Sequence, residues 1–258
     1  MWTDVVDLRD FYAGGLGQVA RRMIRQRLRA MWPDLAGQSL LGLGYATPWL
    51  RPFREEAART VAIMPPRQGV LHWPPGSPGV VALADEGALP LPDLSMDRVL
   101  VVHALEQTEQ LRRMLREVWR VMAGGGRVIF VVPNRRGIWA RFERTPFGHG
   151  RPWSEGQLSA LLRDNMFTPL HTETALYMPP GRMRLLLGSA PAWERIGRRW
   201  FRPVAGVVLV EATKQVFAGT GEIAPGRRQR RRRPVLVASK PDQRFDGPAA
   251  RGPGDDPA

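Results

Sequence analysis

The feature that most constrains this chain is a regular alternation. Short apolar runs at 39–43, 60–64, 79–84, 96–103 and 127–132 are each closed by loop-forming residues, with helix-patterned or turn-rich segments between them. Runs of this length and polarity suit strands buried on both faces. Strands that alternate with helical segments imply a doubly wound, mostly parallel sheet with helices on both sides. Residues 10–31 open on a loop at Gly14-Gly15 and become a helix, with Leu16, Val19, Ala20, Met23, Ile24, Leu28 and Met31 at three- and four-residue spacing. A sheet-packed helix is preferred to a membrane-surface one because a strand follows at once. Residues 52–59 read as a short helix. Residues 106–122 read as a longer one, broken by Gly124-Gly125-Gly126 as a glycine C-cap.

After Asn134 the rhythm changes. Residues 135–153 mix arginines with aromatics, and Ser154 caps a helix that runs to Leu162. Residues 167–177 are strand-like, 183–200 are helical in pieces interrupted by Pro191, and 205–214 form a last buried strand. A helix and two strands added to five parallel ones give a seven-stranded sheet. The expected domain spans 1–218, with a core at 38–134 and acceptor-side elements at 135–218. Residues 219–258 read as a disordered basic tail.

In sheets of this kind a ligand sits outside the carboxyl ends of the strands, near the point where strand order reverses. The run 39–43 ends there in Gly42-Leu43-Gly44-Tyr45-Ala46-Thr47-Pro48, where glycines let the backbone turn and approach a ligand. Met64, Asp85 and His103 also fall at strand ends. A dinucleotide-linked dehydrogenase is disfavoured, because the third glycine is missing and no acid closes the second strand.

The formal charge is +14, and 36 of the 38 basic residues are arginine. That surplus fits a biased base composition better than a nucleic-acid footprint. Cysteine is absent, which excludes disulfides, thiolate nucleophiles and cysteine-ligated zinc. The four histidines lack metal-ligand spacing. No stretch is long and apolar enough to span a membrane and the N-terminus lacks an apolar leader, so a cytoplasmic location is expected. The basic run opened by Arg227 and closed by Arg233 suits RNA, anionic lipid or an acidic partner, against a solvated tail as the plainer reading.

Four motifs in order over 38–134 resemble the class I S-adenosylmethionine-dependent methyltransferases of the type-11 group. They are the Gly42–Pro48 loop, then Asp85-Glu86-Gly87-Ala88-Leu89-Pro90-Leu91-Pro92, then Ser95-Met96-Asp97-Arg98-Val99 with His103-Ala104-Leu105-Glu106-Gln107, and last Arg120-Val121-Met122-Ala123-Gly124-Gly125-Gly126. The resemblance implies S-adenosylmethionine as cofactor, held around Gly42, Gly44, Tyr45, Ala46, Met64, Asp85, Glu86 and His103, and methyl transfer by in-line displacement. The chain departs from the family at the donor. Gly42 stands where an acid opens the loop, Ala46 and Pro48 replace later glycines, and Met64 replaces the acid that holds the ribose. Each lost hydrogen bond to a carboxylate is worth about 1–3 kcal/mol. A fold that has lost catalysis and serves as a binding or regulatory protein is the alternative. His103 reads first as a turn-capping residue and second as a catalytic one, and Asp97 as a strand-start residue.

Overall fold

A computed structural model describes residues 3–181 and 184–215. Seven strands lie in the order β3-β2-β1-β4-β5-β7-β6. They are β1 (Ser39–Gly44), β2 (Arg59–Met64), β3 (Val81–Leu83), β4 (Met96–Val102), β5 (Met122–Pro133), β6 (Phe167–Ala175) and β7 (Val207–Lys214). The first five are parallel, and β7 runs antiparallel to both β5 and β6. The order reverses between β1 and β4, which sets the switch point beside the Gly42–Pro48 loop.

The helices are α1 (Val5–Ala13), α2 (Gly15–Met31), α3 (Thr47–Arg54), α4 (Leu111–Val121), α5 (Glu155–Asp164) and α6 (Arg184–Trp200). The period-2 alternation of the strands sorts the core into two layers. Leu40, Leu100, Val102, Ile129, Val131, Val207 and Leu209 pack with buried residues of α1, α2 and α3. Leu41, Val99, Val101, Val128, Phe130, Val208 and Val210 pack with α4 and α5. Both faces are therefore covered, as the apolar strands require.

Several boundaries differ from expectation, each for a local reason. Residues 10–13 are not loop but the last turn of α1, whose Asp4 side chain accepts the Val6 N–H as an N-cap. Helix α3 starts at Thr47 rather than 52, because Pro48 at the first turn loses no helical hydrogen bond. Helix α4 starts at Leu111 rather than 106, since residues 103–108 turn their side chains inward. Its C-terminus is not closed by glycines. Met122 leaves the helix in extended conformation and β5 begins there, through Gly124–Gly126. The ammonium of Lys214 takes over the capping, donating to the Met122 carbonyl at 2.7 Å and lying 4.3 Å from the Trp119 ring centroid.

Strand β3 is a three-residue edge with Leu83 about half exposed, shorter than the strand expected over 79–84. Helix α6 runs unbroken through Pro191. The ring of Pro191 is exposed, while Ala190, Glu194 and Gly197 hold the helix against the body on both sides of it, and this packing overrides the break. Helix α5 carries the full Ser154–Gln157 capping box. The tail at 219–258, with its basic run, lies outside the described residues.

Candidate functional site

The carboxyl ends of β1, β2 and β4 meet where the parallel order reverses. Gly44 turns the chain out of β1 at φ +78°, and a Cβ there would run into the Val102 carbonyl oxygen at the end of β4. Only glycine meets both demands. The Ala46 N–H bonds back to the Gly44 carbonyl at 2.9 Å, and Ala46 then caps α3. Gly42 faces α3 from within β1, and a side chain there would meet Leu50. A larger residue at 42 would require the Leu50 side chain to shift.

The other expected residues gather at this end, but their surroundings differ from an open cleft. Tyr45, Ala46, Met64 and His103 are buried. Met64 closes β2 inside an apolar cluster with Tyr12, Tyr45, Ala46 and Trp49. Glu86 is buried and accepts the Thr108 hydroxyl at 2.9 Å. Asp85 is exposed and takes the Gly87 N–H at 2.7 Å in a local turn. Asp97 accepts the Ser39 N–H at 2.9 Å, tying β4 to β1, a structural role.

The filling comes from α1, where Tyr12 is the residue that the sequence reading missed. Its ring lies flat on Tyr45, with centroids 5.9 Å apart and planes 16° apart, and edge-on to Trp49 at 5.1 Å. Its hydroxyl lies 2.6 Å from Nε2 of His103. Nδ1 of His103 lies 3.0 Å from Oε1 of Glu106. With Glu106 as the acceptor, Nδ1 carries the proton and Nε2 accepts from the phenol. Phe147, from the short 3-10 turn Pro146–Gly148, closes over His103 at 5.2 Å. The signal for α1 was available: Asp4 as a cap, then Val5, Leu8 and Tyr12 at helical spacing.

Burial, the Glu106 charge and Tyr45 together push the Tyr12 phenol well above its usual range. Burial raises the Tyr45 phenol to about 12 against the opposing pull of Arg9 and Arg21. Two buried acceptors, Oε2 of Glu106 and Oε1 of Gln68, have no hydrogen-bond partner. Gln68 nonetheless ties the site together. Its side chain donates to the His103 carbonyl at 2.8 Å, and its own carbonyl accepts the Val5 N–H at 2.8 Å. The Thr3 N–H donates to Gln107 Oε1 at 2.7 Å. Helix α1 is therefore fastened to the segments that follow both β2 and β4.

These residues fit a sulfonium nucleoside donor unevenly. The turn at Gly44 offers bare backbone and Asp85 is exposed, but Met64 is buried and carries no carboxylate. Tyr12, Tyr45 and Trp49 pack together beside it as an aromatic plug.

Beside this plug lies an open cleft of about 500 Å³, lined by Asp10, Phe11, Leu16, Phe142, Arg144 and Leu187 among others. Its walls come from α1, α2, α6 and the 142–145 loop. Phe11 joins it to the plug, edge-on to Tyr12 at 5.0 Å and to Phe147 at 6.3 Å.

Residues 42–130 match the family model described as a methyltransferase domain. No curated protein matches the chain in sequence. Among solved structures, an S-adenosylmethionine-dependent methyltransferase from Thermotoga maritima is similar at 17% identity and a TM-score of 0.56, over 82% of this chain and 96% of that one. A second, from Archaeoglobus fulgidus, is similar at 17% identity and 0.54, over 75% and 94%. A third, from Mesorhizobium loti, is similar at 19% identity and 0.51, over 72% and 95%. Residues 42–130 thus match a methyltransferase domain, and the seven-stranded topology is the fold shared with these S-adenosylmethionine-dependent methyltransferase structures.

Proposed function

We propose that this chain is an S-adenosylmethionine-dependent methyltransferase whose donor site opens when α1 withdraws Tyr12. The observation that carries this reading is that the Gly44 turn packs against Val102 and Ala104, on either side of His103, at the β1–β4 switch point of the sheet. A sulfonium donor brings its own leaving group, so the protein is asked chiefly to align the reactants and exclude water. Tyr45, Trp49 and Phe147 supply the dry wall. Once the phenol leaves, Nε2 of His103 is an unprotonated acceptor whose ring Glu106 orients, suited to taking a proton from the acceptor. The cleft beside Phe11 draws on both acceptor-side segments and combines apolar walls with Arg144, which suits an apolar or planar acceptor carrying an anionic group.

A second reading is favoured by Met64 and the aromatic plug: the fold persists and methyl transfer is lost. Calorimetric titration with S-adenosylmethionine separates the two. The proposal expects weak binding by the parent and binding at least about tenfold tighter by Tyr12→Ala, since opening no longer breaks the phenol contacts. No binding by either protein at millimolar donor leaves only the second reading.

A further inference from the structure

The last turns of α6 and the residues after it carry the most exposed large apolar group among the described residues. Trp200 is 70% exposed, and Ile196, Phe201, Trp193 and Val204 are each at least 40% exposed. Positions 193, 196 and 200 are spaced by three and four, so they form one stripe along the helix. The inward side of α6 is separate and fully used. Glu194 accepts the Tyr177 N–H at 2.9 Å, and Gly197 lies so close to the Tyr177 ring that a Cβ would collide with it. The apolar stripe is thus no part of the core that holds the helix.

Exposed arginines accompany that stripe. Arg195, Arg198, Arg199 and Arg202 all lie at the surface, and Glu194, the one acid between 184 and 204, is turned inward. Scattered exposed apolar residues need no explanation, but a contiguous set rimmed by charge of one sign does. Nucleic acid would use the arginines and leave the aliphatic side chains in water. An anionic bilayer uses both. Tryptophan and phenylalanine settle among the headgroups and acyl boundary, while arginines reach out to the lipid phosphates.

We propose that the α6 face binds the surface of anionic membranes, with Trp193, Ile196 and Trp200 inserted and Arg195, Arg198, Arg199 and Arg202 on the lipid headgroups. The association is peripheral, since no helix among the described residues is long and apolar enough to cross a membrane. It does not depend on the methyl-transfer reading.

The test is sedimentation of the full chain with vesicles of phosphatidylcholine alone or with about a third phosphatidylglycerol. The parent is expected to bind the anionic vesicles and release in 1 M salt, where charge is screened within about 3 Å. Replacing the three stripe residues together by serine (W193S, I196S, W200S) is expected to weaken binding at least about tenfold. R195Q, R198Q and R199Q together are expected to weaken it about a hundredfold. All substituted side chains are surface-exposed, and an unchanged thermal melt verifies the fold. Glutamine at every arginine of the 227–233 run, with α6 intact, should leave most of the binding. Three outcomes overturn the proposal: equal binding to both vesicle types, undiminished binding by the serine variant, or a parent that self-associates through this face and ignores lipid.

Discussion

The phenol of Tyr12 lies 2.6 Å from Nε2 of His103, a residue 91 positions further along the chain, and this contact ties α1 to the carboxyl end of β4. The two groups come from α1 and from the turn after β4. Removing the hydroxyl leaves a buried imidazole nitrogen without a donor. Tyr12→Phe is expected to lose about 1–3 kcal/mol of stability in urea unfolding at pH 7, and Tyr12→Ala more, because a cavity is added. Full stability in both variants would mean that α1 is not docked.

The three tyrosines of the chain all have raised phenol pKa values, each chiefly through burial, and Tyr45 reaches about 12. A phenol that is harder to ionise folded than unfolded gives stability that is whole below pH 10, the unfolded value, and lost as pH rises through the folded one. Absorbance of the folded protein at alkaline pH should therefore show no phenolate step at 10. A step near 12 should vanish in Tyr45→Phe. A parent that titrates at 10 would show the ring of Tyr45 in water.

Gly44 carries a left-handed backbone against the Val102 carbonyl. Gly44→Ala adds both the strain of that region and a collision with main chain that cannot move aside. The expected cost is about 3 kcal/mol or more, read as a lowered urea midpoint. Gly37, also left-handed but with open space around its Cβ position, is the control and should lose only about 1 kcal/mol when changed to alanine.

Met64→Asp restores the acid at the end of β2, but in a fully buried position. Without donor the variant should lose several kcal/mol, because an ionised carboxylate has no partner there. Under the methyl-transfer reading, millimolar S-adenosylmethionine should raise its melting temperature more than the parent's, since the ribose hydroxyls supply that partner. Equal shifts would count against a ribose at this place.

Glu194 is buried beside Arg27, and its carboxyl is raised mainly by burial, with the Tyr177 N–H and Arg27 opposing. A raised acid gives stability that is whole below its unfolded value of about 4.5 and lost as pH climbs through the folded one. Glu194→Gln keeps an acceptor for the Tyr177 N–H. It should flatten the fall in urea midpoint between pH 4.5 and 7.

The sequence by itself determined the sheet and the loop. Apolar runs of strand length admit few arrangements other than a covered parallel sheet, and the glycines at 42 and 44 mark the end of its first strand, where Tyr45 and Ala46 lead into α3. Strand β7 was legible from the same kind of apolar run, and β6 as a strand-like stretch at 167–177. What the sequence could not determine was the use of space at that loop. Tyr12, Gln68, Glu106 and Phe147 are far apart in the chain, and the close approach of α1 to His103 depends on hydrogen bonds between segments that follow different strands. The ends of α4 and α6 were decided in the same way, by Lys214 reaching across from β7 and by the inward anchors Glu194 and Gly197. Local pattern fixes which residues must be buried, but only tertiary packing fixes which of them meet, and here that meeting makes a closed aromatic cluster at the carboxyl ends of β1, β2 and β4.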